Sequence, residues 1–191
     1  MPTATATKKV AAMGSKATKP GPAPQPGALD AFKYKHTPED AEALAAELIP
    51  TTVAADFVDA NWKTRLAALD EMNTWLEGVV SGVDSEVMVR FLAKKGWNEK
   101  NFQVYLQCFE YPDDKLFALM QVSSKIYGIL SMLAERCPSF SRSSAALSIP
   151  HLSEKLGDLK LRKPAGDTLL LFAEKTSLSF VLSQGECPLC C

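Results

Sequence analysis

One local pattern is used three times along this chain. A short polar stretch carrying aromatic or basic residues closes one amphipathic segment and opens the next. It reads Asn61-Trp62-Lys63-Thr64-Arg65, then Gly96-Trp97-Asn98-Glu99-Lys100-Asn101-Phe102, then Gly157-Asp158-Leu159-Lys160-Leu161-Arg162-Lys163-Pro164. Repetition of one helix–loop–helix unit predicts a short stacked array. Each unit then buries its apolar side against its neighbours, and the loops form a row along one edge. A Trp followed by Lys and Arg on such an edge suits a large acidic protein surface rather than a small substrate.

The text between the loops is helical throughout, with no strand alternation. Thr37-Pro38-Glu39-Asp40 supplies a capping hydroxyl, a Pro at the first helical position and acids in the first turn. Good helix formers continue to Leu48, and Pro50 stops them. A short segment, Val53 to Val58, follows. Trp62 to Leu76 places Leu66, Leu69, Met72 and Leu76 at helical spacing, and Gly78 and Gly82 close it. Asp84 to Lys95 repeats the period through Val87, Met88, Phe91 and Leu92, with Gly96 as the terminating glycine. Lys115 to Cys137 is the longest and most apolar segment, ended by Pro138. Ser143 or Ser144 opens the next, running to Leu156, and Pro164 opens the last through Phe172. The expected architecture is all-α, built from antiparallel helix pairs.

Trp62 to Trp97 is close to the length of a HEAT unit, roughly 40–47 residues. Trp97 to Asp158 is too long, and removing Val104 to Gln121 restores the spacing. That segment, with Pro112 inside it, is expected as an irregular excursion or as a lengthened helix broken near Pro112.

The bulk numbers exclude several classes. Apolar residues are 47% and charged residues 23%, an ordinary globular balance, and the net charge of −1 carries no strong nucleic-acid footprint. No apolar run is long enough for a membrane helix, and the N-terminus lacks the apolar core of a signal peptide. Residues 1–36 read as a disordered, basic Pro/Ala/Lys linker carrying Lys8, Lys9, Lys16 and Lys19. Cys108 and Cys137 lie in apolar text and read as buried hydrophobes. Cys187-Pro188-Leu189-Cys190 has a metal-like spacing, but no second pair or nearby His completes a site. A terminal Cys190-Cys191 without a basic cluster upstream is equally poor as a lipidation signal. His36 and His151 stand without an acid–base partner at motif spacing, and Trp75 reads as core. No phosphate loop, nucleophile elbow or His/carboxylate cluster is present, so neither catalysis nor a cofactor is expected.

Three stretches carry a family resemblance. They are Asp59-Ala60-Asn61-Trp62-Lys63-Thr64-Arg65-Leu66-Ala67-Ala68-Leu69-Asp70, Phe91-Leu92-Ala93-Lys94-Lys95-Gly96-Trp97-Asn98-Glu99-Lys100-Asn101-Phe102-Gln103 and Leu156-Gly157-Asp158-Leu159-Lys160. In this order they resemble a TOG domain, most of all the third TOG domain of the ch-TOG family of microtubule polymerases (cytoskeleton-associated proteins). The likeness runs from about Pro50 to Gln184. The basic N-terminal stretch is similar to that family's linkers. A family TOG domain has six HEAT units. The resemblance therefore implies a partial TOG domain over 37–184, an α-solenoid of about three HEAT units with an insert at 104–121. A tail unlike the family follows at 185–191, as in a truncated or alternatively spliced product.

The resemblance further implies that the loop edge binds αβ-tubulin. The family's first-loop Trp falls on Trp62, followed by Lys63 and Arg65. The second loop falls on Trp97, Lys100 and Asn101, and the third on Lys160, Arg162 and Lys163. It implies a module of a longer parent chain, acting in microtubule plus-end growth and spindle organisation. The implied location is the cytoplasm and cytoskeleton, including centrosome and kinetochore, with no membrane or specific nucleic-acid partner. A generic helical-repeat scaffold that lost tubulin affinity by truncation stays open beside it.

Overall fold

The computed structural model describes residues 32–97 and 113–185 of the chain. Among these, eight helices and no strand are found. They are α1 (Pro38–Leu48), α2 (Thr51–Asp56), α3 (Trp62–Val79), α4 (Ser85–Gly96), α5 (Asp113–Arg136), α6 (Arg142–Lys155), α7 (Arg162–Lys175) and α8 (Leu178–Gln184).

Local chemistry sets the starts. The Thr37 hydroxyl accepts the amide of Asp40, the Asn61 side chain that of Lys63, and the Asp84 carboxylate that of Glu86. Each satisfies an amide that the first turn leaves without an intrahelical acceptor. The Ser177 hydroxyl does the same for Phe180 at α8. The helix expected from Lys115 begins at Asp113, directly after Pro112, and takes in the last nine residues of 104–121. The first eight of the insert positions after Gln103, Val104 to Tyr111, lie with Pro112 outside the described residues. The helix expected to open at Pro164 opens at Arg162 and ends at Lys175, and α8 follows as a separate element. Helix α6 runs through Pro150.

The helices pack in two layers. In one, α1 lies on α4, α4 on α6 and α6 on α8. In the other, α3 lies on α5 and α5 on α7. Contacts of α2 with α3, α4 with α5, α6 with α7 and α7 with α8 join the layers. This is the helix-pair stacking of a HEAT-type solenoid. Between the layers lies one continuous core that includes Phe57, Leu69, Met72, Met88, Leu92, Ile126, Leu130, Ile149 and Phe172. Trp75 is half-buried against it, as expected of a core residue.

Side-chain pairs fix the helix directions. Residues at the start of α4 pair with those before α1, and Lys94 near the end of α4 pairs with Glu42 within α1. Ser85 and Ser144 share a hydrogen bond of 2.8 Å at the starts of α4 and α6, while Trp97 meets His151 towards their ends. Thus α1, α4 and α6 run the same way, and their C-termini share one edge.

Phe32 to His36, read from sequence as linker, belong to this helical unit. Phe32 stands edge-on to Phe180 at 5.6 Å, and the Arg90 guanidinium covers the Tyr34 ring at 4.9 Å. Glu86, fully buried, accepts the amides of Lys35 at 3.0 Å and His36 at 3.2 Å. Burial alone would raise the Glu86 carboxyl. Hydrogen bonds from Lys35, Ser143, His36 and Arg90 outweigh it and hold the group below the usual carboxylate range. His36 also meets Asp84 at 3.3 Å, a partner that motif spacing does not reveal.

Candidate functional site

The C-termini of α1, by way of the short α2, and of α4 and α6 lead into the connections at 57–61, 97–112 and 156–161. The intervening connections at 80–84 and 137–141 lie at the opposite edge. The first loop enters α3 at Trp62 and the third enters α7 at Arg162, so the described parts of all three loops share the first edge.

In the first loop, the Asn61 amide donates to the Asp59 carboxylate at 2.6 Å and the Asn61 side chain caps α3. Trp62 is therefore held as the first helical residue, partly exposed. The Lys63 ammonium lies 5.6 Å from the centroid of its ring, and Lys63 is exposed. Arg65 is half-buried. The result is a broad apolar plate with positive charge over it, an arrangement suited to cation–π contact and to an acidic partner.

The third loop is tied by its own backbone. The Asp158 carboxylate accepts the amides of Lys160 at 2.9 Å and Leu161 at 3.3 Å. The Asp158 carbonyl accepts the Arg162 amide at 2.7 Å, and the Arg162 Nε donates to the Leu156 carbonyl at 3.2 Å. This turn points Lys160 and Arg162 into solvent and leaves Leu159 84% exposed. Lys163 is exposed and pairs with Asp167 one helical turn on, at 2.9 Å.

The second loop departs from the simple picture of an exposed indole. Trp97 is half-buried, and its ring stacks on His151 at 5.3 Å with an interplanar angle of 16°. The other nitrogen-bearing side of His151 meets the Tyr127 hydroxyl at 3.2 Å through Nε2. Burial, reinforced by nearby Lys155, lowers the His151 pKa to about 4, so the ring is neutral at neutral pH. Tyr127 is raised above its usual value, first by burial and then by the charges of Asp158 and Glu154. Lys100 and Asn101, also expected in this loop, lie outside the described residues.

Sequence reading missed Tyr127, Leu159 and the role of His151. Tyr127 lies within the apolar text of α5, where its period reads as core. Leu159 shares its polar loop with Leu161, and the sequence does not say which of the two is exposed. No signal marks the His151 stack, because Trp97 and His151 are far apart in sequence. Among the described residues, no group of His, Cys, Asp and Glu could hold a metal ion, and no helix is long and apolar enough to cross a membrane.

No family model matches the chain. Over 156 residues it is 31% identical to Protein mini spindles of Drosophila melanogaster, covering 78% of this chain and 6% of that protein. It is 29% identical over 148 residues to Protein MOR1 of Arabidopsis thaliana, covering 76% of this chain and 7% of that protein. Protein MOR1 of Oryza sativa subsp. japonica is 27% identical over 148 residues, 76% of this chain and 6% of the relative. The chain thus spans less than about a tenth of the length of these curated relatives. Among solved structures it is similar to Drosophila melanogaster Mini spindles TOG3, at 29% identity and TM-score 0.49, covering 72% of this chain and 54% of that one.

Proposed function

The chain is homologous to proteins of the ch-TOG family, and on that premise we propose that it is a tubulin-binding TOG module whose loop edge engages αβ-tubulin. The observation that carries the reading is the shared edge. Trp62 under Lys63 heads one loop and the exposed Lys160 and Arg162 crown another, on helices whose packing fixes them in register.

The roles divide by chemistry. Trp62 supplies apolar area at low entropic cost, as interface anchors do. Lys63, Arg65, Lys160, Arg162 and Lys163 supply attraction to an acidic surface. Lys100 and Asn101 contribute from the second loop. Because the first and third loops are held by their own hydrogen bonds before binding, little order remains to be imposed on them on docking. In a longer parent chain the module adds to microtubule plus-end growth and spindle organisation in the cytoskeleton, tethered to other domains by basic linkers.

The test is co-sedimentation with αβ-tubulin across a salt series. Trp62→Ala should weaken binding about tenfold or more at every salt concentration, a loss of roughly 1.4 kcal/mol or above. If Trp62→Ala binds as the parent does while salt abolishes binding, the contact is nonspecific attraction to a polyanion.

A further inference from the structure

Two tryptophans stand on the loop edge, and the structure treats them differently. Trp62 has its own neighbour Lys63 over its ring. Trp97 ends α4 and is clasped by α6, the next helix in the layer, through the near-parallel stack on His151. His151 in turn is held edge-on by Tyr127 of α5, with ring centroids 6.0 Å apart, and by the hydrogen bond to its hydroxyl. Three helices from two successive units therefore meet in one aromatic cluster.

That cluster reaches the third loop. His151 lies one turn before Lys155, where α6 ends and the loop begins. The Asp158 carboxylate ties the turn of that loop by accepting the Lys160 amide at 2.9 Å. Trp97 is thus the first member of a chain of contacts, Trp97 to His151 to Tyr127, whose middle member stands on the last turn of α6, just before the loop carrying Leu159 and Lys160. A ring stacked flat on a half-buried imidazole has one face already spent.

We infer that Trp97 is a positioning residue and not a tubulin contact. It clamps His151, and through it fixes the third loop in register with the end of α4. This rests on the tubulin-binding reading for its consequence, but the clamp itself is a property of the free chain. It makes His151, whose ring is engaged by Trp97 and Tyr127, a determinant of binding. It also predicts that what matters at position 97 is an aromatic plane and not an indole.

Two measurements on the full chain decide it. The first is backbone hydrogen exchange at 156–161 in the free protein. The second is tubulin affinity, with Trp62→Ala and Lys160→Ala as references. Trp97→Ala and His151→Ala should each speed exchange at 156–161 about tenfold and each weaken tubulin binding about fivefold. The double variant should be no worse than either alone, because both break the same clamp. Trp97→Phe keeps a plane for stacking and should keep both loop protection and binding.

The proposal is overturned if Trp97→Ala weakens binding while exchange at 156–161 is unmoved and His151→Ala binds as the parent does. It is equally overturned if Trp97→Phe loses as much affinity as Trp97→Ala with loop protection intact, since an indole contact would then be at work. If Ala at either position unfolds the chain, Trp97→Phe alone carries the decision. Failure of the tubulin reading is separate: Trp62→Ala and Lys160→Ala would both leave affinity unchanged, and the exchange data would still confirm or reject the clamp.

Discussion

The buried carboxylate of Glu86 takes the backbone amide of Lys35 at 3.0 Å, across half a hundred residues of chain. With the amide of His36 and the Arg90 guanidinium it forms a polar knot inside the array, on the layer of α1, α4 and α6. A buried carboxylate is tolerable only while its oxygens are satisfied. Glu86→Gln keeps the size and one acceptor but removes the charge, and should cost about 2 kcal/mol. Glu86→Ala also strips Arg90 of its carboxylate partner, leaving the His36 carbonyl and the Tyr34 ring, and should cost about 3–4 kcal/mol. Urea unfolding with an unchanged m-value checks both. A chain starting at Thr37 should be less stable than one starting at Phe32, because it lacks both the amides and the Phe32 ring against Phe180.

Lys160 and Arg162 should differ in how they affect tubulin binding. Lys160 is exposed and its side chain carries only charge, so Lys160→Ala should slow association at low salt and become nearly silent at high salt. Arg162 also donates from Nε to the Leu156 carbonyl and so helps close the third loop. Arg162→Ala should therefore leave a loss that salt does not remove. Association and dissociation rates at two ionic strengths separate the terms. Equal salt dependence for the two variants would show that the Arg162 loop bond is not needed for docking.

Much of this fold was legible because its signals are local. Thr37 and Asp84 mark helix starts through side chains that reach only two or three residues, and Leu69, Met72 and Leu76 keep one period over a long helix. The two-layer array and the shared edge follow from counting alternate helices. What was hidden depends on distant partners. Nothing near Glu86 in sequence says that it is buried, since its partners Lys35 and His36 come from before α1. Phe32 to His36 look like linker until Phe180 and Arg90 are seen against them. Helix α8 is too short to show a period. At the edge, the residue types of Trp62 and Lys160 were readable, but Trp62 and Trp97 looked alike because His151 reaches Trp97 only through the packing of α6 on α4.

The outward side of α7 and α8 should govern solubility. Leu170, Leu178 and Leu182 are 64%, 60% and 66% exposed, three large apolar side chains turned to solvent on two adjoining helices. Leu178→Gln with Leu182→Glu removes apolar surface that the chain does not bury. The soluble yield should rise and light scattering on concentration should fall. Stability should change by less than about 0.5 kcal/mol per site, as for surface positions generally. A cooperative loss of stability would mean these leucines are already engaged, for example in a dimer.

Stability should fall between neutral pH and pH 4.5, and His151 should be the cause. Its pKa is lowered from 6.5 to about 4 in the folded chain, so across that interval the unfolded chain binds one proton more. Stability therefore rises with pH there, by at most about 1.4 kcal/mol per unit. The contribution is fully present above the unfolded value and is lost as pH falls towards the folded one. The groups around His151 do not mask this. Tyr127 is raised, away from the interval, and Lys155 and Glu154 on the same helix act on His151 through their charges. Asp84 and Glu86 have folded values below 3.8 and 4.5, so their contributions are lost only in more acid solution. His151→Phe keeps a ring for Trp97 to stack on and cannot be protonated. Its stability should be nearly flat from pH 6.5 to 5 while the acid limb below 4.5 is retained. If the variant shows the parent's slope from pH 6.5 to 5, another group titrates there and the aromatic cluster is not the acid-sensitive part of the array.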